Sequence, residues 1–262
     1  MTSSVGFIGG GRIVRVFLNG WKRSGNWPSR VVVSDTERKP LEVLRSAFAE
    51  VVTALGDNLQ PAKADVVFLA VHPPALRGVL GELRDRITPA SLVVSLAPKL
   101  TIAEIAAALG GHERVARLIP NAPSIVGAGF NPVAFGPHVS DVDRQVLATL
   151  MAPLGARPEV PERHLEAYAV LTGMGPTYLW FQLYELLSLA EGFGLERSAA
   201  AEGIGQMAAG ALRTMMHSGL TPADVMDLVP VRPLAEDEET FKAAYRARLE
   251  ATFDRIRPAR PA

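Results

Sequence analysis

The sequence predicts an α/β fold in which an N-terminal Rossmann-like, doubly wound sheet is followed by an all-α C-terminal domain. Short β-branched runs alternate with helical stretches over the first half of the chain, as in doubly wound sheets. Residues 66–71 are apolar on both faces, which is typical of a central parallel strand covered by helices. After about residue 159 the strands stop, whereas helical periodicity continues. We therefore expect a dinucleotide-binding domain over 1–158 and a helical substrate and dimerisation domain over 159–262.

The strands of the first domain are predicted from short apolar, β-branched runs bounded by turn residues. These runs are Val5–Ile8, Val31–Ser34, Val51–Thr53, Val66–Val71, Leu92–Leu96, Val115–Leu118 and Val133–Phe135. Between them, Pro40 is expected to open one helix. The spacing of Thr101 and Glu104 predicts a capping box at the start of another helix.

The helices of the second domain are predicted from apolar spacing. Residues 162–192 are helical in pattern but interrupted at 173–176. Further helices are predicted over 197–216, from Thr221 with Pro222, and over 238–256. The stretch 177–190 is apolar on nearly all sides, which predicts burial all round. Because so much apolar surface needs a cover, we expect a homodimer or a higher homo-oligomer.

The composition excludes several classes of function. Among 262 residues, 27 Lys and Arg balance 27 Asp and Glu, so no basic excess points to nucleic acid. There is no cysteine, which excludes disulfides and thiolate metal sites, and the histidines lack ligand spacing, so no metal is expected. The apolar runs are shorter than the roughly 18 residues of a membrane span, and no signal-peptide pattern is found. We expect a cytoplasmic protein with no membrane partner.

The segment 5–14 carries the clearest functional motif. A predicted strand ends at Gly9, glycines continue to Gly11, and a helix is predicted to begin near Arg12. In dinucleotide-binding turns the first glycine allows the tight turn, and the second lets the backbone approach a pyrophosphate at the helix N-terminus. Val14 stands where the pattern usually has glycine or alanine, which makes the helix–strand contact more crowded. We interpret the segment as a dinucleotide-binding turn.

The end of the second predicted strand is where an adenosine ribose is usually bound. Asp35 at this point favours NAD, because a carboxylate accepts hydrogen bonds from the ribose hydroxyls and repels a 2′-phosphate. Groups that would hold this phosphate instead lie at Ser34, Thr36, Arg38 and Lys39. Alternatively, Asp35 is only a turn residue. Both NADP and NAD therefore stay open as cofactors.

The strand that begins at Asp65 is followed by Val71, His72 and two prolines. These residues lie at the carboxyl edge of the predicted sheet, where open sheets bind their ligands. His72 is accordingly either a cofactor contact or an exposed loop residue.

Four motifs occur in order along the chain: Gly6–Gly11, Asp65–Pro73, Arg117–Pro123 and Thr172–Tyr178. In residue types and spacing they resemble the pyrroline-5-carboxylate reductase family, within the wider group of 6-phosphogluconate-dehydrogenase-like reductases. The resemblance covers most of residues 5–216. It implies an NAD(P)H-dependent reductase that transfers a hydride to the C=N bond of a cyclic imine acid, as in proline biosynthesis.

The resemblance also implies roles for individual residues. The cofactor side would comprise Gly9, Gly10, Gly11, Arg12, Ile13, Ser34, Asp35, Asn58, Ala70, Val71, His72 and Pro73. The substrate side would comprise Asn121, Gly173, Met174, Gly175 and Pro176, with Thr172 and Lys99 as catalytic candidates. Asn58 is slightly displaced from the family's asparagine. The alternative for 173–176 is a simple helix kink.

Several residues depart from the family pattern, chiefly on the substrate side. His72 stands where the family has a lysine, and Lys99 ends a loop that closes with glycine in the family. Met174 replaces a serine. The family's threonine, a proposed proton donor, falls on Ala169, which has no proton to give.

A segment that holds the substrate carboxylate through backbone amides in the family, Ser-Pro-Gly-Gly-Thr-Thr, is absent. Residues 230–235 stand in its place, so Arg232 or Lys99 would have to bind the carboxylate. These departures predict poor reduction of pyrroline-5-carboxylate itself. They also keep two alternatives open: a reductase of the same fold acting on another imine or on a keto or hydroxy acid, or a non-catalytic dinucleotide-binding paralogue.

Overall fold

The computed structural model describes residues 3–258. Its main sheet contains the strands β1 (Ser4–Ile8), β2 (Arg30–Asp35), β3 (Val51–Leu55), β4 (Val66–Leu69), β5 (Leu92–Ser95), β6 (Val115–Leu118) and β8 (Val133–Phe135). Two shorter strands, β7 (Gly129–Phe130) and β9 (Gly155–Ala156), pair separately. The seven predicted strands are confirmed, with small shifts at their ends. The two-residue strands are too short for periodicity to reveal.

The strand order of the main sheet is β3-β2-β1-β4-β5-β6-β8. Neighbouring strands are parallel except β6 and β8, which are antiparallel. The order reverses between β1 and β4, which is the switch point beyond which doubly wound sheets bind ligands. The loops that follow these two strands meet there, since the N–H of Ala70 donates to the carbonyl oxygen of Ile8 at 2.8 Å. The predicted Rossmann-like class is confirmed.

The helices of the described residues are α1 (Arg12–Ser24), α2 (Arg38–Ala47), α3 (Pro73–Leu83), α4 (Ile102–Ala108), α5 (Asp141–Met151), α6 (Leu165–Tyr168), α7 (Pro176–Gly192), α8 (Arg197–His217), α9 (Pro222–Asp227) and α10 (Glu238–Ile256). Within this part of the chain, no helix is long and apolar enough to cross a membrane.

The predicted helix starts are confirmed at two positions and corrected at a third. Thr101 Oγ1 accepts the Glu104 N–H at 3.2 Å, and Glu104 accepts the Thr101 N–H at 2.8 Å. The latter bond holds the pKa of Glu104 below its usual value. Thr221 caps α9, as predicted. However, α2 begins at Arg38 and not at Pro40, because proline is tolerated inside a first turn, where N–H groups have no helical partner.

An aromatic core fixes α1 against the sheet. Phe7 of β1 stacks on Phe68 of β4 with ring centroids 5.0 Å apart. Phe17 and Trp21 of α1 close the cluster, and all four rings are fully buried. Trp21 Nε1 donates to the carbonyl oxygen of Leu150 at 2.8 Å, so the polar atom of the largest buried ring is satisfied. The N-terminus of α1 is therefore held rigidly beyond β1.

The chain forms two compact units: residues up to Met174 with those from Thr252 on, and Gly175–Ala251. This division lies within the Gly-Met-Gly-Pro segment, later than the predicted boundary at 158.

In the second unit, the expectation that 177–190 is buried all round is wrong for the single chain. Only Ala190 of α7 is buried. Large apolar residues remain 44–66% exposed: Leu179, Trp180, Phe181 and Tyr184. The physical reason is that α8, which contacts α7, can cover only one face of a helix that is apolar on nearly all of them.

Gly6 of β1 is predicted to tolerate no side chain. An added Cβ would lie 2.0 Å from the carbonyl oxygen of Pro61, a backbone atom that cannot rotate away. We expect Gly6→Ala to lower the free energy of unfolding by about 3 kcal/mol in urea denaturation. The control Gly78→Ala places its Cβ in open space on α3 and should raise stability by about 0.5–1 kcal/mol. Equal stability of the two variants would contradict the tight contact.

Candidate functional site

The turn after β1 is a place where only glycine fits. Gly9 has a φ of +99°, which favours glycine. Its N–H donates to the carbonyl oxygen of Ser34 at 2.8 Å. A Cβ on Gly9 would lie 2.6 Å from the carbonyl oxygen of Ala70. The turn is thus clamped between the ends of β2 and β4.

The N-terminus of α1 is open to an anion. Gly11 is its N-cap, and within the described residues no side chain caps this end and no acidic residue lies in the first turn. A Cβ built on Gly11 would meet nothing within 4 Å, so free space lies in front of the backbone. Unsatisfied N–H groups and the helix dipole together attract negative charge. These features fit the pyrophosphate of a dinucleotide.

A cleft of about 290 Å³ lies at this turn. Cationic side chains contribute most of the charge around it, with Glu37 as the acidic exception. It is lined by Gly10, Gly11, Arg12, Arg15, Glu37, Lys39, Pro40, Val43 and His72. Ile13, a predicted cofactor residue, instead packs its side chain against the hydrophobic core, so only its backbone faces this end of the helix.

Asp35 bridges the glycine turn and the start of the next loop. Its Oδ2 accepts the Gly10 N–H at 2.8 Å, and its Oδ1 accepts the Glu37 N–H at 2.9 Å. The carboxylate therefore lies beside the cleft, with lone pairs left on both oxygens. This is the position from which a ribose hydroxyl would be bound.

Ser34 and Asn58 form a different arrangement from the one expected. Ser34 is fully buried, and its hydroxyl donates to Asn58 Oδ1 at 2.7 Å. Asn58 Nδ2 in turn donates to Glu82 at 2.7 Å. Because these polar groups already bind one another, a direct contact of Ser34 with a cofactor is not supported by the geometry, and a role for Asn58 stays a prediction.

The end of β4 faces the glycine turn. The carbonyl oxygen of Ala70 lies against Gly9. A methyl group of Val71 lies 3.2 Å from the position that a Cβ on Gly9 would take. His72 is the exposed N-cap of α3, which begins at Pro73. His72 also lines the cleft, so the structure brings it together with Gly10 and Gly11.

Asn121 joins two of the segments predicted for the substrate side. Its Nδ2 donates to the carbonyl oxygen of Thr172 at 3.3 Å, and its Oδ1 accepts the Phe130 N–H at 3.1 Å. Asn121 is buried. Its side chain therefore positions the backbone of Thr172, while the Thr172 hydroxyl donates to the carbonyl oxygen of Tyr168 at 2.8 Å.

The residues 169–173 form a turn of π-helix, a widened geometry frequent at functional sites. The Met174 N–H donates to the carbonyl oxygen of Ala169 at 2.9 Å. A Cβ on Gly173 would lie 3.3 Å from Ile119 Cγ2, so glycine lets this turn approach the loop after β6. Gly175 and Pro176 belong to the second unit, where they form the N-cap and first residue of α7. Their substrate role stays a prediction.

A buried ion network lies below the loop that follows β5. Arg117 of β6 is fully buried and donates to Glu162 at 3.0 Å and to Glu166. Glu166 also accepts the Lys99 N–H at 3.4 Å, and Glu162 accepts the Ile102 N–H at 2.7 Å. The sequence predicted no role for these three charged side chains, because the two carboxylates lie 45 and 49 positions from Arg117 and no local pattern links them.

Lys99 itself is exposed and has a φ of +83°. This left-handed conformation favours glycine, which is the residue expected there from the family pattern. The lysine side chain forms no ion pair in the part of the chain that the structure describes.

Comparisons with known proteins agree with this geometry. Residues 4–99 match the family model described as NADP oxidoreductase, coenzyme F420-dependent. A pyrroline-5-carboxylate reductase of Corynebacterium melassecola is 28% identical over 227 residues, covering 85% of this chain and 83% of that protein. A solved pyrroline-5-carboxylate reductase of Coxiella burnetii is 29% identical over 98% of both chains, with a TM-score of 0.72.

A second solved structure extends the likeness in fold. The pyrroline carboxylate reductase of Plasmodium falciparum, solved with NADP bound, matches 97% of both chains at 19% identity and a TM-score of 0.81. The matched regions reach well beyond the cofactor turn and include both the loop after β6 and the π-helical turn. Over most of its length, this chain is therefore similar to pyrroline-5-carboxylate reductases.

Proposed function

We propose that this chain is an NAD(P)H-dependent reductase that transfers a hydride to the C=N bond of a cyclic imine acid. The observation that carries the proposal is the uncapped N-terminus of α1, with open space at Gly11 and a cleft of about 290 Å³ beside it. The similarity to pyrroline-5-carboxylate reductases supports the reaction type.

The cofactor would be held from three sides. Backbone groups of Gly9–Ile13 would bind the pyrophosphate, with Arg12 adding a positive charge. Asp35 would bind the adenosine ribose, and the residues 70–73 would line the opposite wall. When bound, the reduced nicotinamide supplies the hydride. The chain's own contribution is to orient the acceptor and exclude water.

On the substrate side, Thr172 is positioned by Asn121 and Tyr168. The Thr172 hydroxyl donates its proton to the carbonyl oxygen of Tyr168. Thr172 Oγ1 can therefore act toward a ligand as a hydrogen-bond acceptor. Such an acceptor suits the N–H of a protonated imine, which carries its own proton into the site. Gly173, Met174, Gly175 and Pro176 complete the proposed substrate segment, with Lys99 as the nearby cation.

A second function is favoured by particular departures from the family. Ala169 is buried and apolar, and Met174 brings no hydroxyl to the same turn. A hydrogen-bonding site that lacks these groups suits a bulkier or differently shaped imine, keto or hydroxy acid. The remaining alternative, a non-catalytic dinucleotide-binding protein, would bind the cofactor without oxidising it.

Steady-state kinetics tests the proposed function. Absorbance at 340 nm is followed with NADH or NADPH and a panel of cyclic imines and keto acids. We expect oxidation of the cofactor, but a kcat/KM for pyrroline-5-carboxylate below about 10⁴ M⁻¹s⁻¹, because general acid assistance is worth about 10²–10⁴ in rate.

The matched variants for this assay are Gly11→Asp and Gly78→Asp. Both positions offer open space for a Cβ, but only Gly11 lies in the cleft. We expect Gly11→Asp to abolish cofactor binding and activity through like charge, whereas Gly78→Asp keeps both. Cofactor binding without turnover on any acceptor would favour the non-catalytic alternative, and equal cofactor affinity of the two variants would refute the site.

The cofactor preference is predicted to depend on the charge of Asp35. Asp35→Asn keeps an oxygen for the Gly10 N–H and removes the charge that repels a 2′-phosphate. We expect the NADPH affinity relative to NADH to rise by about tenfold, measured as Kd by fluorescence titration. As a control, Glu50→Asn changes an exposed carboxylate outside the cleft. An unchanged NADH/NADPH ratio would mean that Asp35 does not face the ribose.

We further propose that the second unit assembles with copies of itself. The helices α7 and α8 leave many large apolar residues exposed, and exposed apolar patches mark interaction surfaces in soluble proteins. Light scattering at micromolar concentration should therefore give at least twice the 28.0 kDa of one chain, and Phe181→Glu with Tyr184→Glu should reduce this mass. A monomeric wild-type protein would contradict the proposal.

A further inference from the structure

The loop after β5, residues 96–101, holds a lysine in a conformation that costs energy. Among the described residues only Lys99 and Asp85 combine a side chain with a positive φ, at +83° and +57°. Glycine adopts this conformation without a steric penalty, whereas lysine does not. Backbone strain of this kind persists only where the surroundings impose it, and it clusters at functional sites.

Two carboxylates, the buried Glu166 and the partly exposed Glu162, hold the conformation of this loop. Glu166 accepts the N–H of Lys99, and Glu162 accepts the N–H of Ile102 three residues later. Both carboxylates are held by Arg117, whose Nε atom is buried without a hydrogen-bond partner. Burying the Arg117–Glu166 pair contributes little to stability, because desolvation offsets the attraction. The network instead fixes the backbone at Lys99 and at Ile102.

The position of the loop points toward the acceptor side of the site. β5 lies between β4 and β6, in the half of the sheet that binds the second mononucleotide in doubly wound folds. Glu166 also lies three residues before the start of the π-helical turn, which contains Thr172. One carboxylate therefore fixes both the Lys99 backbone and the start of the helical segment that carries the proposed catalytic hydroxyl.

The Lys99 ammonium is available to a ligand. It is exposed and forms no ion pair with the residues that the structure describes. The other cation considered for the substrate carboxylate, Arg232, is already paired with Glu238. Of the two, only Lys99 combines an uncommitted charge with an enforced backbone position.

We propose that Lys99 binds the carboxylate of the substrate and determines specificity for acids. The inference rests on the proposed reductase function and names the side chain that recognises the carboxylate of its substrate. A side-chain ammonium thereby replaces the backbone amides that the segment 230–235 does not supply. The strain at Lys99 follows from placing a cation where the loop geometry suits glycine.

Three substitutions of Lys99 separate charge from backbone strain. Lys99→Met removes the charge and keeps the strain, Lys99→Gly removes both, and Lys99→Arg keeps both. We expect the KM for pyrroline-5-carboxylate to rise about 10- to 100-fold in the Met and Gly variants, as for the loss of a charged hydrogen bond, with kcat less affected. Lys99→Arg should stay close to wild type.

Asp85→Gly is the matched control for strain. Asp85 follows α3, at the opposite edge of the sheet from the ends of β4 and β5. We expect neither Lys99→Gly nor Asp85→Gly to lower Tm, because the strain that is relieved offsets the added freedom of the unfolded chain. Only Lys99→Gly should raise KM. In addition, the KM of the wild type should rise with ionic strength, whereas that of Lys99→Met should not.

A binding measurement distinguishes failure of this inference from failure of the proposed function. The NAD⁺-loaded protein is titrated calorimetrically with L-proline and with L-prolinamide, which lacks the carboxylate. We expect the wild type to prefer proline by at least about tenfold and Lys99→Met to lose this preference. Reduction of the imine with no effect of Lys99 overturns the inference alone. Lys99-dependent binding without any reduction overturns only the reductase function, and an absence of proline binding overturns the role of Lys99.

Discussion

The carbonyl oxygens of Pro61 and Ala70 lie so close to β1 that two of its glycines have no room for a side chain. A Cβ would lie 2.0 Å from the first oxygen at Gly6 and 2.6 Å from the second at Gly9. This close approach brings the ends of β1 and β4 together at the switch point. The open N-terminus of α1, the Asp35 bridge and the position of His72 all depend on it, because each is placed by the turn that these contacts fix.

A second constraint, the pairing of Arg117 with two carboxylates, fixes the backbone of the loop that follows β5. The Arg117 guanidinium and the Glu166 carboxylate are withdrawn from water where apolar residues would pack at lower cost, and Glu162 adds a partly exposed carboxylate. What these charges contribute is a fixed backbone geometry. The same carboxylate oxygens that bind Arg117 also accept the backbone N–H groups of Lys99 and Ile102. Asn121 acts in the same way on Thr172. Hydrogen bonds from polar side chains thus fix the backbone conformation on the acceptor side. On the cofactor side, close contacts between backbone atoms fix it.

The two halves of the site differ in how much the sequence could predict. The seven strands, the glycine turn after the first of them and the capping box of Thr101 with Glu104 depend on local patterns, and their positions are confirmed. The contacts of Arg117 with Glu166 and of Asn121 with Thr172 join residues 49 and 51 positions apart, which no local pattern encodes. The burial of Ser34 and the left-handed backbone of Lys99 were missed for the same reason, since distant residues impose both.

This division also bears on how the chain diverged. On the cofactor side, Gly6 and Gly9 lie against backbone atoms that cannot move aside, so a side chain at either position would destabilise the fold. The acceptor side is built from side chains, which can be exchanged one at a time while the network below them keeps the backbone in place. The departures from the family pattern at Lys99, Ala169 and Met174 fall on this side. The departures from the family pattern therefore fall mainly where the substrate is proposed to bind, and His72 is the exception that lines the cofactor cleft.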